Sequence, residues 1–299
     1  MLVSASEKKK IIVVGANGQL GSEINVLSPL YPQYEFVFLS EANLSILDFD
    51  AVRSVFKVTK PDYLINCAAY TAVDKAEADR EIALKVNAEA VSYIAVLCEE
   101  YKTGFIHIST DYVFDGNASV PYKPDDITNP QSVYGDTKLA GERLAFRNNP
   151  STILIRTAWV YSEFGHNFVK TMIRLMKERE EIKVVNDQVG TPTYAADLAD
   201  AIMKIISSEK WVPGIYHFSN AGIISWYDFA LAIKEETGSN CRVLPVPTSQ
   251  YPTSAKRPAF SVLDTSKISV TYSLQITNWR GSLLKCLKRL TTLLPQHED

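Results

Sequence analysis

Residues 11–14, Ile-Ile-Val-Val, form an unbroken β-branched run that stops at Gly15. A run with no polar positions predicts a strand covered on both faces, as strands of a parallel sheet are. The pattern then alternates. Residues 36–39 are strand-like, 49–58 helix-like, 63–67 strand-like, 76–101 a long helical stretch and 104–109 strand-like. Strand-helix alternation predicts an α/β fold built on a doubly wound parallel sheet. Right-handed crossovers put the loops that follow the strands at one edge of that sheet, where ligands bind.

The second half is less regular. Strand candidates at 153–155, 182–185 and 215–218 lie between helical stretches at 168–178, 196–206 and 226–236. Pro245, Pro247, Pro252 and Pro258 mark a long loop, and residues 245–260 are a candidate substrate lid. At about 150 residues per domain, 299 residues make two lobes. The expected division is a dinucleotide-binding domain over 10–160 and a smaller substrate-binding lobe over 161–299. No repeat or low-complexity linker separates them, so some later segments are expected to return to the first domain.

Composition narrows the partners. With 31 Lys and Arg against 34 Asp and Glu, the net charge is −3, which supplies no broad positive field for nucleic acid. Apolar residues at 46% are enough for a real core and exclude disorder as the main theme. Cys67, Cys98, Cys241 and Cys286 have no metal-type spacing and read as reduced core thiols. The apolar run after Lys10 is too short for a signal-peptide core, and no run is long enough for a membrane span. A cytoplasmic protein with no membrane partner is expected.

Gly15-Ala16-Asn17-Gly18-Gln19-Leu20-Gly21 follows the first strand and opens a helix. Glycine allows the tight turn and the close approach of backbone to a pyrophosphate, while free N–H groups and the helix dipole meet its charge. The turn predicts a dinucleotide site. The second strand ends at Leu39-Ser40-Glu41 with neither an unambiguous acid for a ribose hydroxyl nor an arginine for a 2′-phosphate. Asp48 and Phe49 are candidates for the adenosine end, and Asp48 reads equally well as a helix N-cap.

A second constellation lies downstream. Thr110 is at a strand end, and Tyr134 and Lys138, four apart, share one face of a helix. A tyrosine, with an ordinary pKa of about 10, holds a proton at neutral pH, and a neighbouring lysine cation favours its phenolate. Beside a nicotinamide the pair is a proton donor for a carbonyl receiving hydride.

Glycine turn, strand-end Thr110 and Tyr134/Lys138 follow the order of the short-chain dehydrogenase/reductase superfamily, which the chain resembles. The resemblance is closer to one family within it. Asn66-Cys67-Ala68-Ala69-Tyr70-Thr71-Ala72-Val73-Asp74, Ser109-Thr110-Asp111-Tyr112-Val113-Phe114, Val133-Tyr134-Gly135-Asp136-Thr137-Lys138, Arg156-Thr157-Ala158-Trp159, Asn186-Asp187-Gln188-Val189-Gly190 and Arg257-Pro258 are similar to motifs of the dTDP-4-dehydrorhamnose reductases. The resemblance implies a Rossmann-type sheet with a smaller C-terminal substrate-binding lobe. It also implies reduction of the C4 ketone of a dTDP-4-keto sugar, dTDP-4-dehydro-6-deoxy-L-mannose, to dTDP-L-rhamnose, with NADPH preferred and NADH possible.

Under that resemblance Tyr134, Lys138 and Thr110 are catalytic. Gly15, Asn17, Gly18, Gln19, Leu20 and Gly21 meet the pyrophosphate end of the cofactor, Asp48 and Phe49 the adenosine, and Ala69, Tyr70 and Thr71 its centre. Tyr134 and Lys138 also contact the cofactor. Thr110, Asp111, Trp159, Asn167 and Arg257 contact the sugar nucleotide. Plainer readings stand beside these: Trp159 as a core aromatic, Asn167 as a helix cap, Arg257 as a surface charge. Asp74, Lys75 and Glu77 read as a solvated helix start, His107 as a core histidine, and His166 and His217 have no zinc spacing.

Some members carry three glutamates that bind Mg2+ at a dimer interface. Glu23 matches the first, Ala196 stands at the second and no third is found near the C-terminus, so no such metal site is expected in a monomer or homodimer. Two other functions fit the same motifs: a regulatory subunit resembling the methionine adenosyltransferase beta subunit, and another nucleotide-sugar 4-ketoreductase or epimerase.

Overall fold

A computed structural model describes residues 7–293. Six parallel strands form the central sheet: β1 (Lys9–Val14), β2 (Tyr34–Leu39), β3 (Tyr63–Asn66), β4 (Gly104–Thr110), β5 (Ile153–Thr157) and β6 (Gly214–His217). Their spatial order is β6-β5-β4-β3-β1-β2. Direction of winding reverses between β1 and β3, and in open α/β sheets that reversal leaves a crevice at the strands' C-terminal ends.

The β-branched run is explained by what covers it. Ile11 and Val13 pack with α1 (Gln19–Leu27) and α6 (Ala195–Ser207) on one face. Ile12 and Val14 pack on the other with α2 (Phe49–Thr59), α3 (Ala90–Tyr101) and α4 (Val133–Asn148). Each such side chain contributes about 1.5–3 kcal/mol when fully buried, so a polar residue at any of the four positions would be costly.

The chain leaves this sheet after β5 and returns to it. β6 pairs with β5 in parallel, and α6 lies against α1. Between and after them a second core forms from α5 (Phe168–Glu178), α7 (Trp226–Thr237) and α8 (Trp279–Leu293) against the parallel strands Glu181–Val185 and Arg242–Val246. Pro245 lies within one of these strands, not in the expected loop. A two-stranded sheet has only edge strands, which tolerate a proline.

The helical stretch expected over 76–101 is interrupted. Val73–Ala76 and Arg80–Leu84 are separate helices, and a π turn over Lys85–Glu89 precedes α3. The reason is Asn87, whose Nδ2 donates to the Tyr70 carbonyl (3.1 Å) and to Thr137 Oγ1 (3.1 Å) while its Oδ1 accepts from Tyr70 N (2.9 Å). The widened turn delivers this side chain inward, a common use of π turns near functional sites. No helix among the described residues is long and apolar enough to cross a membrane.

Candidate active-site cleft

Gly15 follows β1 with φ +73°, and a Cβ there would lie 2.6 Å from Ala68 N. Only glycine fits both the backbone angle and the neighbour. Gly18 N donates to Gly15 O (3.0 Å), closing the turn, and Gly18 is the N-cap of α1 with no side-chain cap. The first N–H groups of α1 are therefore left for a ligand, and the helix dipole adds a partial positive charge.

Two connected chambers meet at this turn and share Gly18, Cys67 and Ala69. One, of about 480 Å³, is lined by Gly15, Asn17, Glu41, Leu44–Leu47 and Ala68–Tyr70. The other, of about 570 Å³, is lined by Gln19, Leu20, Thr71, Thr110, Asp111, Tyr134, Lys138 and Trp159. Asp48 and Phe49 line neither. The Asp48 carboxylate caps α2 by accepting from Ala51 N (3.0 Å), and Phe49 stacks on Tyr93 at 4.5 Å. Residues 44–47, just before them in the chain, wall the first chamber.

The reactive groups come from β4 and α4. Thr110 ends β4 with its hydroxyl donating to Asp111 Oδ1 (2.9 Å) and accepting from Tyr112 N (3.2 Å). Ser132 caps α4 by accepting from Gly135 N (3.2 Å). A Cβ on Gly135 would lie 2.2 Å from Tyr112 O, so this glycine lets the first turn of α4 press against the turn Asp111–Val113 that follows β4. Tyr134 and Lys138 thereby reach the same chamber as Thr110.

Lys138 is 2% exposed and its Nζ donates to Ile108 O (2.7 Å). Burial pulls its ammonium down to about 8, partly opposed by the Glu142 carboxylate one turn on. Burial raises the Tyr134 phenol above its ordinary value, with Thr110 acting against it. Desolvation outweighs the depression of this phenol expected from Lys138, whose ammonium donates to the Ile108 carbonyl. The phenol therefore keeps its proton firmly at neutral pH. Asp111, also buried, is raised to about 6 by desolvation, and its Oδ2 has no hydrogen-bond partner among the described residues.

The family model described as the RmlD substrate binding domain matches residues 9–292. The dTDP-4-dehydrorhamnose reductase of Aggregatibacter actinomycetemcomitans is 42% identical over 92% of this chain and 97% of its own length. The chain belongs to the dTDP-4-dehydrorhamnose reductase family.

Solved structures agree. That of a dTDP-4-dehydrorhamnose reductase from Clostridium acetobutylicum is 42% identical with a TM-score of 0.90, covering 94% of this chain and 99% of that one. A Bacillus anthracis dTDP-4-dehydrorhamnose reductase in complex with NADP is 38% identical, also at 0.90, over 94% and 99%.

In this dTDP-4-dehydrorhamnose reductase fold Trp159 lines the chamber with φ +50°, a left-handed angle uncommon for a bulky residue. It is held there by stacking on Trp226 at 3.5 Å between centroids and by its carbonyl, which accepts from Thr193 N. Asn167 is a helix cap, accepting from Lys170 N (3.1 Å), and it also donates to Gln19 Oε1 (3.0 Å), so it acts behind the glycine turn. Arg257 lies behind the wall too, donating to Tyr112 Oη (3.1 Å) and to Asp74 Oδ2 (2.6 Å). Asp74 and Glu77 are anchors, not a solvated helix start: Asp74 also accepts from Ala255 N (3.0 Å), and Glu77 from Val133 N (2.9 Å).

Sequence reasoning missed Asn87, Trp226 and the Glu142–Arg156 pair. Arg156 forks onto both oxygens of Glu142 (2.9 and 2.7 Å), and Ser109 Oγ donates to one of them (2.5 Å). All three are buried and tie β4, β5 and α4 together directly behind Thr110 and Lys138. Ser109 and Glu142 stand within or beside quoted motifs, which was the available signal.

Proposed function

We propose that this chain reduces the C4 ketone of dTDP-4-dehydro-6-deoxy-L-mannose to dTDP-L-rhamnose, using NADPH or NADH. The observation that carries this reading is the convergence of Thr110, Tyr134 and Lys138 on one chamber that continues into the uncapped glycine turn. A family relative holds NADP, and the free N–H groups here suit a pyrophosphate.

The turn from Gly15 to Gly21, with Asn17, holds the pyrophosphate by backbone donors and dipole. Ala69, Tyr70 and Thr71 border the centre of the dinucleotide, and Asn87 fixes that loop through Tyr70. Lys138 holds the nicotinamide ribose. When bound, the reduced nicotinamide supplies the hydride. Thr110 turns its hydroxyl from Asp111 to the ketone oxygen, and Tyr134 transfers its phenolic proton to that oxygen as negative charge develops there. The Lys138 cation, one helical turn away, stabilises the phenolate left behind. Asp111 and Trp159 border the sugar nucleotide, with Asn167 and Arg257 supporting the wall.

Residues 10–160 make most of the dinucleotide lobe, completed by β6 and α6, and the remainder makes the sugar-nucleotide side.

The test is to generate the ketone in situ from dTDP-glucose with a 4,6-dehydratase and a 3,5-epimerase and follow loss of reduced-nicotinamide absorbance. Oxidation that needs both enzymes and yields dTDP-rhamnose is expected. Oxidation with the dehydratase alone would assign a different 4-keto sugar, and none at all would favour a regulatory subunit.

A further inference from the structure

A second cluster of buried ionisable groups lies outside the cleft, where α1, the loop after residue 161 and α8 meet. Glu23 and Glu163 have essentially no exposed side-chain surface. Arg289, from α8, places Nη1 3.1 Å from Glu23 Oε2 and Nε 3.0 Å from Glu163 Oε1. Ser162 Oγ donates to Glu23 Oε1 (2.6 Å), Tyr194 Oη donates to Glu163 Oε1 (2.5 Å), and Arg289 Nη1 donates to Tyr194 Oη (2.9 Å).

Two carboxylates buried together repel, and removing the cation between them would leave an uncompensated charge. The same cluster touches the glycine turn. Glu23 is one turn beyond Gln19 on α1. Gln19 accepts from Asn167 Nδ2, which also donates to Ser162 O (2.7 Å), and Ser162 in turn binds Glu23. The ring fixes the start of α1 against the second lobe.

A magnesium ion of the three-glutamate kind does not fit here. The Glu23 carboxylate already faces a guanidinium, Ala196 offers no donor, and among the described residues no group of three His, Cys, Asp or Glu could hold a metal. We propose that Arg289 is a built-in cation which takes the place of a metal at this joint and positions the pyrophosphate-binding start of α1. Burial and the neighbouring Glu163 push the Glu23 carboxyl above the usual carboxylate range, consistent with one cation serving two acids. Arg289 is thus a positioning residue for the dinucleotide, 270 residues along the chain from the helix turn it governs.

The inference rests on the dinucleotide reading of the cleft. The experiment measures equilibrium binding of NADPH and NADH to wild type, R289M and R289K, with thermal melting to confirm folding. R289M should weaken binding by about tenfold, the effect of losing one charge-assisted contact, with the loss appearing in KM more than in kcat. R289K, which restores the charge, should recover most of it. Wild type dialysed against EDTA should bind as before.

R289M binding like wild type, or R289K failing as badly as R289M, would overturn the role of the cation. So would loss of wild-type binding with EDTA, an outcome that can be read even if R289M does not fold. A wild type that binds neither dinucleotide would instead overturn the reading of the cleft, and this inference with it.

Discussion

The central sheet has a hollow at each end of its strands, and the two differ in kind more than in size. At the N-terminal end a groove of about 390 Å³ is lined by Asp62, Tyr63, Glu99, Lys102, Glu209 and Trp211. Three of its charged groups are paired at the surface: Lys102 pairs with Glu99 at 2.5 Å with both side chains exposed, and Asp62 accepts from Lys10 N. At the C-terminal end Lys138, Tyr134 and Asp111 are buried, and each is displaced from its ordinary pKa by desolvation. Burying three ionisable groups beside one chamber is unfavourable for folding, so their presence marks chemistry where volume alone does not.

The sharpest test removes one oxygen. Tyr134→Phe should lower turnover by about 10²- to 10⁴-fold, the range for lost general acid catalysis, while titration of NADPH shows binding intact. Wild-type turnover in this variant would erase the distinction between the two hollows. Lys138→Met should raise the Kd for NADPH by about ten- to a hundredfold through loss of a charge-assisted contact, read by fluorescence titration.

The pH profile sharpens the same point. Folding lowers the Lys138 pKa to about 8, so its cation is present below that value and lost above it. kcat/KM should therefore fall as pH rises through about 8, by up to about tenfold per unit; a flat profile to pH 9.5, a value roughly 1.5 units above that pKa, would remove the lysine from the mechanism. Asn87→Ala should weaken dinucleotide binding by roughly five- to tenfold, as buried hydrogen bonds to Tyr70 are lost at about 1 kcal/mol each. Smallest of all, Trp211→Ala in the opposite groove should leave kcat and KM within about twofold, as substitutions remote from a site do; a larger change there would mean that both ends of the sheet serve the reaction.

What could be read from the sequence was what is local. The β-branched run of β1, the turn it feeds and the Tyr134/Lys138 spacing all express contacts within a few residues, and the structure brings Thr110 to them. The parts that escaped depend on distant partners. Nothing in residues 85–89 announces a π turn, because its cause is the Tyr70 loop and Thr137 on either side of it in the fold. Asp48 reads equally as ligand or cap, and only the position of α2 decides that it caps. The left-handed Trp159 follows from Trp226, 67 residues away, and the Arg156–Glu142 pair behind Thr110 from strand pairing across β4 and β5. Arg289 lies in a helix that the sequence reading did not name, although its apolar face, Leu283, Cys286, Leu287 and Leu290, repeats at helical spacing.

The late return of β6 and α6 has a consequence for synthesis. When the first 160 residues have left the ribosome, β5 is an open edge and Ile11, Val13, Ile65 and Ile106 have no α6 to cover them. Open strand edges and bare apolar faces are where nascent chains aggregate. A fragment ending at 160 should be insoluble when expressed alone and should be recovered by supplying residues 161–299 in trans, so the unit of function and the unit of folding in this protein have different boundaries.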